Sequence, residues 1–347
     1  MKTIAILFGG RSSEYEVSLV SATGVYNNIN KEKYNIILVG ITKEGKFYVY
    51  DDDPSLIECD KWVNGKKYPL SLDLANRWFS IEKDGITETI KVDAVLPMVH
   101  GKYCEDGTLQ GMFAIADIPL VGCGCQSSAV CMDKSVTKSI VSLTTSVLQA
   151  NAVVARNDGT DIFELRKKCE EKLGYPMFVK PARAGSSVGV TKVKTADDFE
   201  KAVRTAFMED DKLLIEEAVP GREMEVAVLE EGGRYTVAHP AEIDNGGAEF
   251  YDYDTKYITN TSSFHIPALI PEQKQDEIRK YALDIFKALD CKGLARVDFF
   301  FTPDEKFVFN EINTLPGFTP ISMYPKMMIH EGISYSELID RLIGTVL

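Results

Sequence analysis

An apolar run over residues 3–8 stops on Gly9-Gly10, and apolar side chains then recur at Val17, Val20, Val25 and Ile29. That order predicts a buried strand, a glycine turn and a helix. Further strands are expected over residues 36–41 and 93–99, the last followed by the loop 100–107 and a helix over 108–116. Strands alternating with helices build an α/β domain whose ligands lie beyond the carboxyl ends of the strands. Residues 42–91 carry no clear period, apart from a turn at Asp51-Asp52-Asp53-Pro54. The Gly9-Gly10 turn does not match a dinucleotide site, because no G-x-G-x-x-G pattern follows the strand.

The rhythm changes near residue 122. One helix is expected over 132–149. Then come a strand from Ala152, a helix over 162–173, a strand over 177–180, a glycine loop, a strand, a helix over 197–207 and a strand over 212–216. Residues 244–264 are polar and rich in Gly, Tyr and Asn, a length and composition suited to a lid. A helix over 271–289, strands over 293–301 and 306–311 and two closing helices complete the chain. At 347 residues it has room for two or three domains. The expected division is 1–122, 123–218 and 219–347, the last carrying the lid 244–264.

Charge narrows the partners. The chain has 39 basic and 52 acidic residues, a net charge of −13, which disfavours nucleic acid. No apolar run approaches the ~20 residues that cross a bilayer, so no membrane partner is expected. Seven cysteines in no paired frame fit a reduced, cytoplasmic protein.

Three constellations bear chemistry. Asp298 sits in an apolar run, while Glu311 and Asn313 share one face of the next run. If the runs pair, three oxygen donors converge as Mg²⁺ prefers; a solvated face or a buried salt bridge fits the spacing equally. Lys180 ends a strand and precedes the small-residue loop Ala184-Gly185-Ser186-Ser187-Val188-Gly189, whose N–H groups suit an anion. Glu216, Glu217, Val219 and Glu223 flank a Pro-Gly turn, where a solvated turn is the simpler account. Beside these, Glu14 follows the first glycine turn, His100 opens the loop after a strand, and Lys256-Tyr257 lies in the long polar loop.

Taken together, the segments Phe8-Gly9-Gly10-Arg11-Ser12-Ser13-Glu14, His100-Gly101-Lys102-Tyr103-Cys104-Glu105-Asp106-Gly107, Met132-Asp133-Lys134, the Lys180 loop, Phe250-Tyr251-Asp252-Tyr253-Asp254-Thr255-Lys256-Tyr257, Ala295-Arg296-Val297-Asp298 and Asn310-Glu311-Ile312-Asn313-Thr314-Leu315-Pro316-Gly317 resemble the D-alanine–D-alanine ligases of the ATP-grasp superfamily. The resemblance implies an α/β fold, α+β in its C-terminal half: an ATP-grasp fold preceded by an N-terminal Rossmann-like domain. It implies ATP and two Mg²⁺, with Mn²⁺ able to substitute, D-alanine as substrate and a homodimer that supplies peptidoglycan precursor. ATP phosphates fall to Lys134, Lys180, Ser186, Ser187 and Lys256. Glu216, Glu217, Val219 and Glu223 take the base and ribose, and Asp298, Glu311 and Asn313 the metal. Glu14 matches the residue that holds the first ammonium, and Ser186 and Tyr257 latch the lid to it. Arg296 and the Gly317 N–H match the oxyanion donors. Ser322 with Lys256 matches the grip on the second carboxylate, and His100 lies among the substrate contacts.

Residues 139–154 match the family's usual connection poorly. Several segments also resemble the D-Ala-D-Ser ligases of vancomycin-resistance clusters. D-lactate makers carry His where this chain has Tyr257, and some D-Ser makers carry Arg where it has Met323. An apolar Met323 suits a methyl side chain, so D-alanine is expected in the second site, with D-serine as the alternative. A non-catalytic nucleotide-binding module is the alternative of another class.

Overall fold

The computed structural model describes residues 1–244, 263–319 and 321–347. Nearly all of the expected lid, including Lys256 and Tyr257, lies outside them.

The first sheet has the strand order β6-β5-β4-β3-β2-β1-β7. Strand β1 (Lys2–Gly9) lies parallel between β2 (Tyr34–Ile41) and β7 (Ala94–Pro97). Helix α1 (Tyr15–Asn28) packs on β1 and buries Leu19, Ala22 and Val25. The expected third strand is thus shorter than 93–99. The poorly patterned region 42–91 forms four antiparallel strands, β3 (Phe47–Tyr50), β4 (Lys67–Asp73), β5 (Trp78–Lys83) and β6 (Ile86–Ile90). The outermost, β6, is exposed along most of its length, so it has no apolar alternation to read.

The turn after β1 positions the first candidate site residue. Gly9 has φ +85°, and a Cβ there would sit 2.1 Å from the Ile41 carbonyl oxygen, so only glycine fits. The Gly9 N–H donates to Ser18 Oγ at 2.8 Å, and that hydroxyl donates to the Met98 carbonyl. Buried Ser18 therefore ties α1 to the ends of both β1 and β7, with Glu14 at the helix start.

The second sheet has the order β11-β10-β12-β9, from β9 (Ala152–Arg156), β10 (Met177–Pro181), β11 (Thr191–Val193) and β12 (Lys212–Glu217). Helices α5 (Ile162–Lys172) and α6 (Ala196–Glu209) cover it with Leu165, Phe199 and Val203. In the third sheet, β13 (Arg222–Glu231) pairs with β17 (Leu294–Phe301), and β17 with β18 (Phe307–Asn313). Short strands β14 (Arg234–Val237), β15 (Ala241–Asp244) and β16 (Ser263–His265) extend the β13 side.

The helix expected over 132–149 forms only over 134–144 and is followed by a short strand. Asp133 is extended and caps α4 (Lys134–Thr144) by accepting the N–H groups of Ser135 and Val136, which separates it from α3 (Cys125–Met132). Beyond α4, β8 (Leu148–Gln149) pairs parallel with β18. Cys123, Cys131, Val141 and Val147 share a buried cluster with Met224, Phe299 and Phe309. Residues 123–149 thus share the core of the third sheet, while Asp133 and Lys134 also bond Lys212 and Ala182 at the second. Helix α7 (Glu272–Ala288) buries Ile278, Ile285 and Phe286 in the same cluster.

Closing helices α8 (Met323–His330) and α9 (Tyr335–Gly344) bury Tyr324, Met327 and Leu338 in a cluster with Phe8, Leu19 and Leu229. They join the third sheet to the first domain and bring Ser322 toward Glu14. Among the described residues, no helix is long and apolar enough to cross a membrane.

Candidate active site

The β17–β18 hairpin puts Arg296 opposite Asn313 and Asp298 opposite Glu311, while β13 sets Glu225 opposite Asp298. With side chains alternating along a strand, all five share one face. Arg296 forks Asp298, Nε to Oδ1 and Nη2 to Oδ2, each at 2.8 Å. Its Nε also lies 3.2 Å from Glu225 Oε2, and Asn313 Nδ2 donates to Asp298 Oδ2 at 3.0 Å. Lys134 Nζ is 3.3 Å from Glu311 Oε2. Burial opposes the charge on Arg296, but Asp298 and Glu225 outweigh it and hold the guanidinium well above its ordinary range. Among the described residues, no three His, Cys, Asp or Glu side chains form a metal cage by themselves. A cation on this face would draw on two carboxylates and the Asn313 amide, hard oxygen donors that suit Mg²⁺.

A cavity of about 530 Å³ runs from this face to the second sheet. Lys134, Lys180, Ser186 and Ser187 line it, and so do Glu216, Glu217, Val219 and Glu223. Ser186 and Ser187 both hold left-handed backbone, at φ 50° and 58°, strain of the kind that gathers at ligand sites. Lys134 Nζ donates to the Ala184 carbonyl at 2.8 Å, tying α4 to that loop. Lys180 Nζ donates to Glu216 Oε2 at 2.8 Å. Burial alone would raise the Glu216 carboxyl, yet Lys138 and Lys180 bring it down to about 2. Glu217 lines the same cavity with both its oxygens accepting from Asn151.

A second cavity of about 90 Å³ adjoins the first, and Ser186, Glu225 and Glu311 form part of both walls. It brings together Glu14, His100, Arg296, Gly317, Ser322 and Met323, which are scattered over some 300 positions of sequence. Ser186 Oγ donates to Glu14 Oε1 at 2.5 Å, the described half of the expected Glu14–Ser186–Tyr257 set. A Cβ on Gly101 or Gly185 would lie 2.7 or 2.9 Å from Glu14 Oε2, so both glycines clear space for that carboxylate.

His100 lines the small cavity with its ring held by the protein. Its Nδ1 donates to the Leu315 carbonyl at 2.9 Å and its Nε2 lies 3.2 Å from Ser21 Oγ. Both ring nitrogens therefore serve the protein, and burial pulls the imidazole toward its neutral form. His100 positions the Leu315–Gly317 loop. Ser322 is held at the wall of the small cavity, its Oγ accepting from the Thr319 N–H at 3.0 Å and lying 2.8 Å from Thr319 Oγ1.

Sequence reasoning passed over Lys138, Glu225 and Glu105. Lys138 lies one turn beyond Lys134 on α4, and Glu225 alternates with Glu223 on β13, so both had a periodic signal. Glu105 sits inside a recognised motif and accepts the N–H groups of Gly101 at 2.7 Å and Leu315 at 3.1 Å. Burial, then the facing Glu14, pushes its carboxyl from an ordinary 4.5 up to about 8. A raised folded-state value contributes stability that is complete below 4.5 and lost as pH climbs through about 8. The melting temperature is therefore expected to fall from pH 6.5 to 9, and Glu105→Gln should flatten that fall. Parallel wild-type and mutant curves in thermal melts would refute it.

Two family models cover the chain: the D-ala D-ala ligase N-terminus over residues 3–123 and the D-ala D-ala ligase C-terminus over residues 145–344. The chain belongs to the D-alanine–D-alanine ligase family. The family's ATP-grasp fold, preceded by an N-terminal domain, is the fold described above. The D-alanine–D-alanine ligase of Caldicellulosiruptor bescii is 44% identical over 346 residues, 98% of this chain and 94% of the relative. Among solved structures, the VanG D-Ala:D-Ser ligase from Enterococcus faecalis superposes with a TM-score of 0.90 at 40% identity, covering 100% of this chain and 99% of that one. The Bacillus anthracis D-alanine–D-alanine ligase complexed with ATP superposes at 0.74 with 27% identity, covering 100% and 97%.

Proposed function

We propose that this protein is a D-alanine–D-alanine ligase that uses ATP to join two D-alanines for peptidoglycan synthesis. The observation that carries the reading is the shared wall: a nucleotide-sized cavity and an amino-acid-sized one meet at Ser186, Glu225 and Glu311. In this reading a phosphoryl donor in one would meet a small carboxylate in the other.

In this reading Lys134, Lys180 and the Ser186–Ser187 loop hold the phosphates, with Lys256 joining them. Glu216, Glu217, Val219 and Glu223 face the base and ribose. Asp298, Glu311 and Asn313 hold the divalent cations, two Mg²⁺ or Mn²⁺, whose charge offsets that of the transferring phosphoryl group. Glu14 grips the ammonium of the first D-alanine, so that its carboxylate oxygen attacks the γ-phosphorus and ADP leaves. The amine of the second D-alanine, in its neutral form, then attacks the acyl carbon, phosphate leaves and the new amide nitrogen loses a proton. Arg296 and the Gly317 N–H donate to the oxyanion formed in that step. Ser322 and Lys256 hold the second carboxylate, and Tyr257 joins Glu14 and Ser186 to keep water from the acyl phosphate.

The likeness to a D-Ala:D-Ser ligase supports a second reading, with D-serine as acceptor. Against it, apolar Ile321 and buried Met323 line the small cavity, an environment for a methyl rather than a hydroxymethyl group. Cytoplasmic location and a homodimer complete the proposal. It is tested by ADP release in the presence of ATP and Mg²⁺: release that depends strictly on D-alanine and matches dipeptide formed supports it. ATP turnover without D-alanine contradicts it.

A further inference from the structure

Glu216 is 3% exposed, and each of its oxygens meets a different lysine: Oε1 meets Lys138 Nζ at 2.7 Å and Oε2 meets Lys180 Nζ at 2.8 Å. Lys180 has a second partner in Asn310 Oδ1 at 3.5 Å and, in the reading above, the phosphates. Lys138 is held at depth, donating also to the Phe309 carbonyl at 3.2 Å from a side chain 9% exposed. A buried ionic trio is a costly way to fill a wall where apolar side chains pack as well, and all three of these side chains line the larger cavity.

We propose that Lys138 is a positioning residue for choice of the nucleotide base: it locks Glu216 as an ionised, acceptor-only carboxylate, matched to the amino group of adenine and closed to the carbonyl of guanine. The inference rests on the larger cavity being the nucleotide site. Adenine presents an N–H donor where guanine presents an acceptor oxygen, and a carboxylate that cannot donate rejects the latter. Losing Lys138 removes the partner of Oε1, so burial then raises the carboxyl toward its neutral form, whose O–H can donate to guanine. Lys180 alone would then hold Glu216 while also serving the phosphates.

The test is calorimetric titration of the full chain with ADP and with GDP in Mg²⁺, which needs no turnover. Wild type is expected to prefer ADP by about a hundredfold or more, as buried polar selection allows. Lys138→Met should cut that ratio by about tenfold or more, and Lys138→Arg should keep it within about threefold of wild type. Glu216→Gln, which offers a donor while leaving both lysines in place, is the second arm and should also collapse the ratio. If Lys138→Met weakens ADP and GDP in parallel, or if Glu216→Gln leaves the ratio unchanged, the selection role is overturned while the nucleotide reading stands. A wild-type chain that binds neither nucleotide overturns the nucleotide reading itself.

Discussion

Glu311→Gln is expected to lower kcat by about a hundredfold or more while leaving the fold intact. Glu311 stands opposite Asp298 on the hairpin and belongs to the wall common to both cavities. The amide keeps the shape and an acceptor for Lys134, now 3.3 Å away, but removes one of two anions from the proposed cation site. A weaker hold on the divalent cation leaves the transferring phosphoryl charge less well offset. Because the side chain is 28% exposed, the lost pairing with Lys134 should shift the melting temperature by less than about 3 °C. Phosphate-release kinetics and Mn²⁺ titration by electron paramagnetic resonance give the two readouts. A mutant with near wild-type kcat and unchanged Mn²⁺ affinity would remove Glu311 from the cation site.

Arg296→Lys should cost about a hundred- to thousandfold in kcat, the range seen when one oxyanion donor is lost, with KM for ATP changed only a few-fold. The guanidinium reaches Asp298 through two parallel bonds and Glu225 through Nε at once. A lysine ammonium is a point charge that cannot reproduce that fork. Retaining the positive charge keeps the buried carboxylates compensated, which separates lost catalysis from the ~3–5 kcal/mol penalty of stranding a buried ion. Dipeptide synthesis and thermal melts decide it. Equal losses in kcat and stability would assign Arg296 to the fold alone.

The parts of the site that the sequence disclosed are those where chemistry contradicts its surroundings. Asp298 inside Val297-Asp298-Phe299-Phe300 signals a carboxylate with a partner, and the two-residue offset of Glu311 and Asn313 is legible wherever a strand is. The pairing that converges them is tertiary, as is the contribution of Glu225 from β13. Residues 132–149 misled at both ends: Asp133 caps the helix from extended backbone, and the helix stops at Thr144 with no Gly or Pro to mark the end before β8. The hold on the His100 ring was not legible, because a histidine in a loop gives no sign of what occupies its ring nitrogens. The Leu315 carbonyl that fixes one lies 215 residues away. Strand β8, two residues that join a sheet whose other strands begin at Arg222, is too short to show a period.

The most direct test of the ligase reading is a single incubation with ATP, Mg²⁺ and equal D-alanine, D-serine and D-lactate, with products resolved by mass spectrometry. D-Ala-D-Ala should dominate, D-Ala-D-Ser should be minor and D-Ala-D-lactate absent, with one ADP formed per dipeptide. A tenfold or greater excess of D-Ala-D-Ser, about 1.4 kcal/mol in favour of the serine acceptor, would contradict the assignment of D-alanine to the second site. ADP formed with no condensed product at all would contradict the ligase itself.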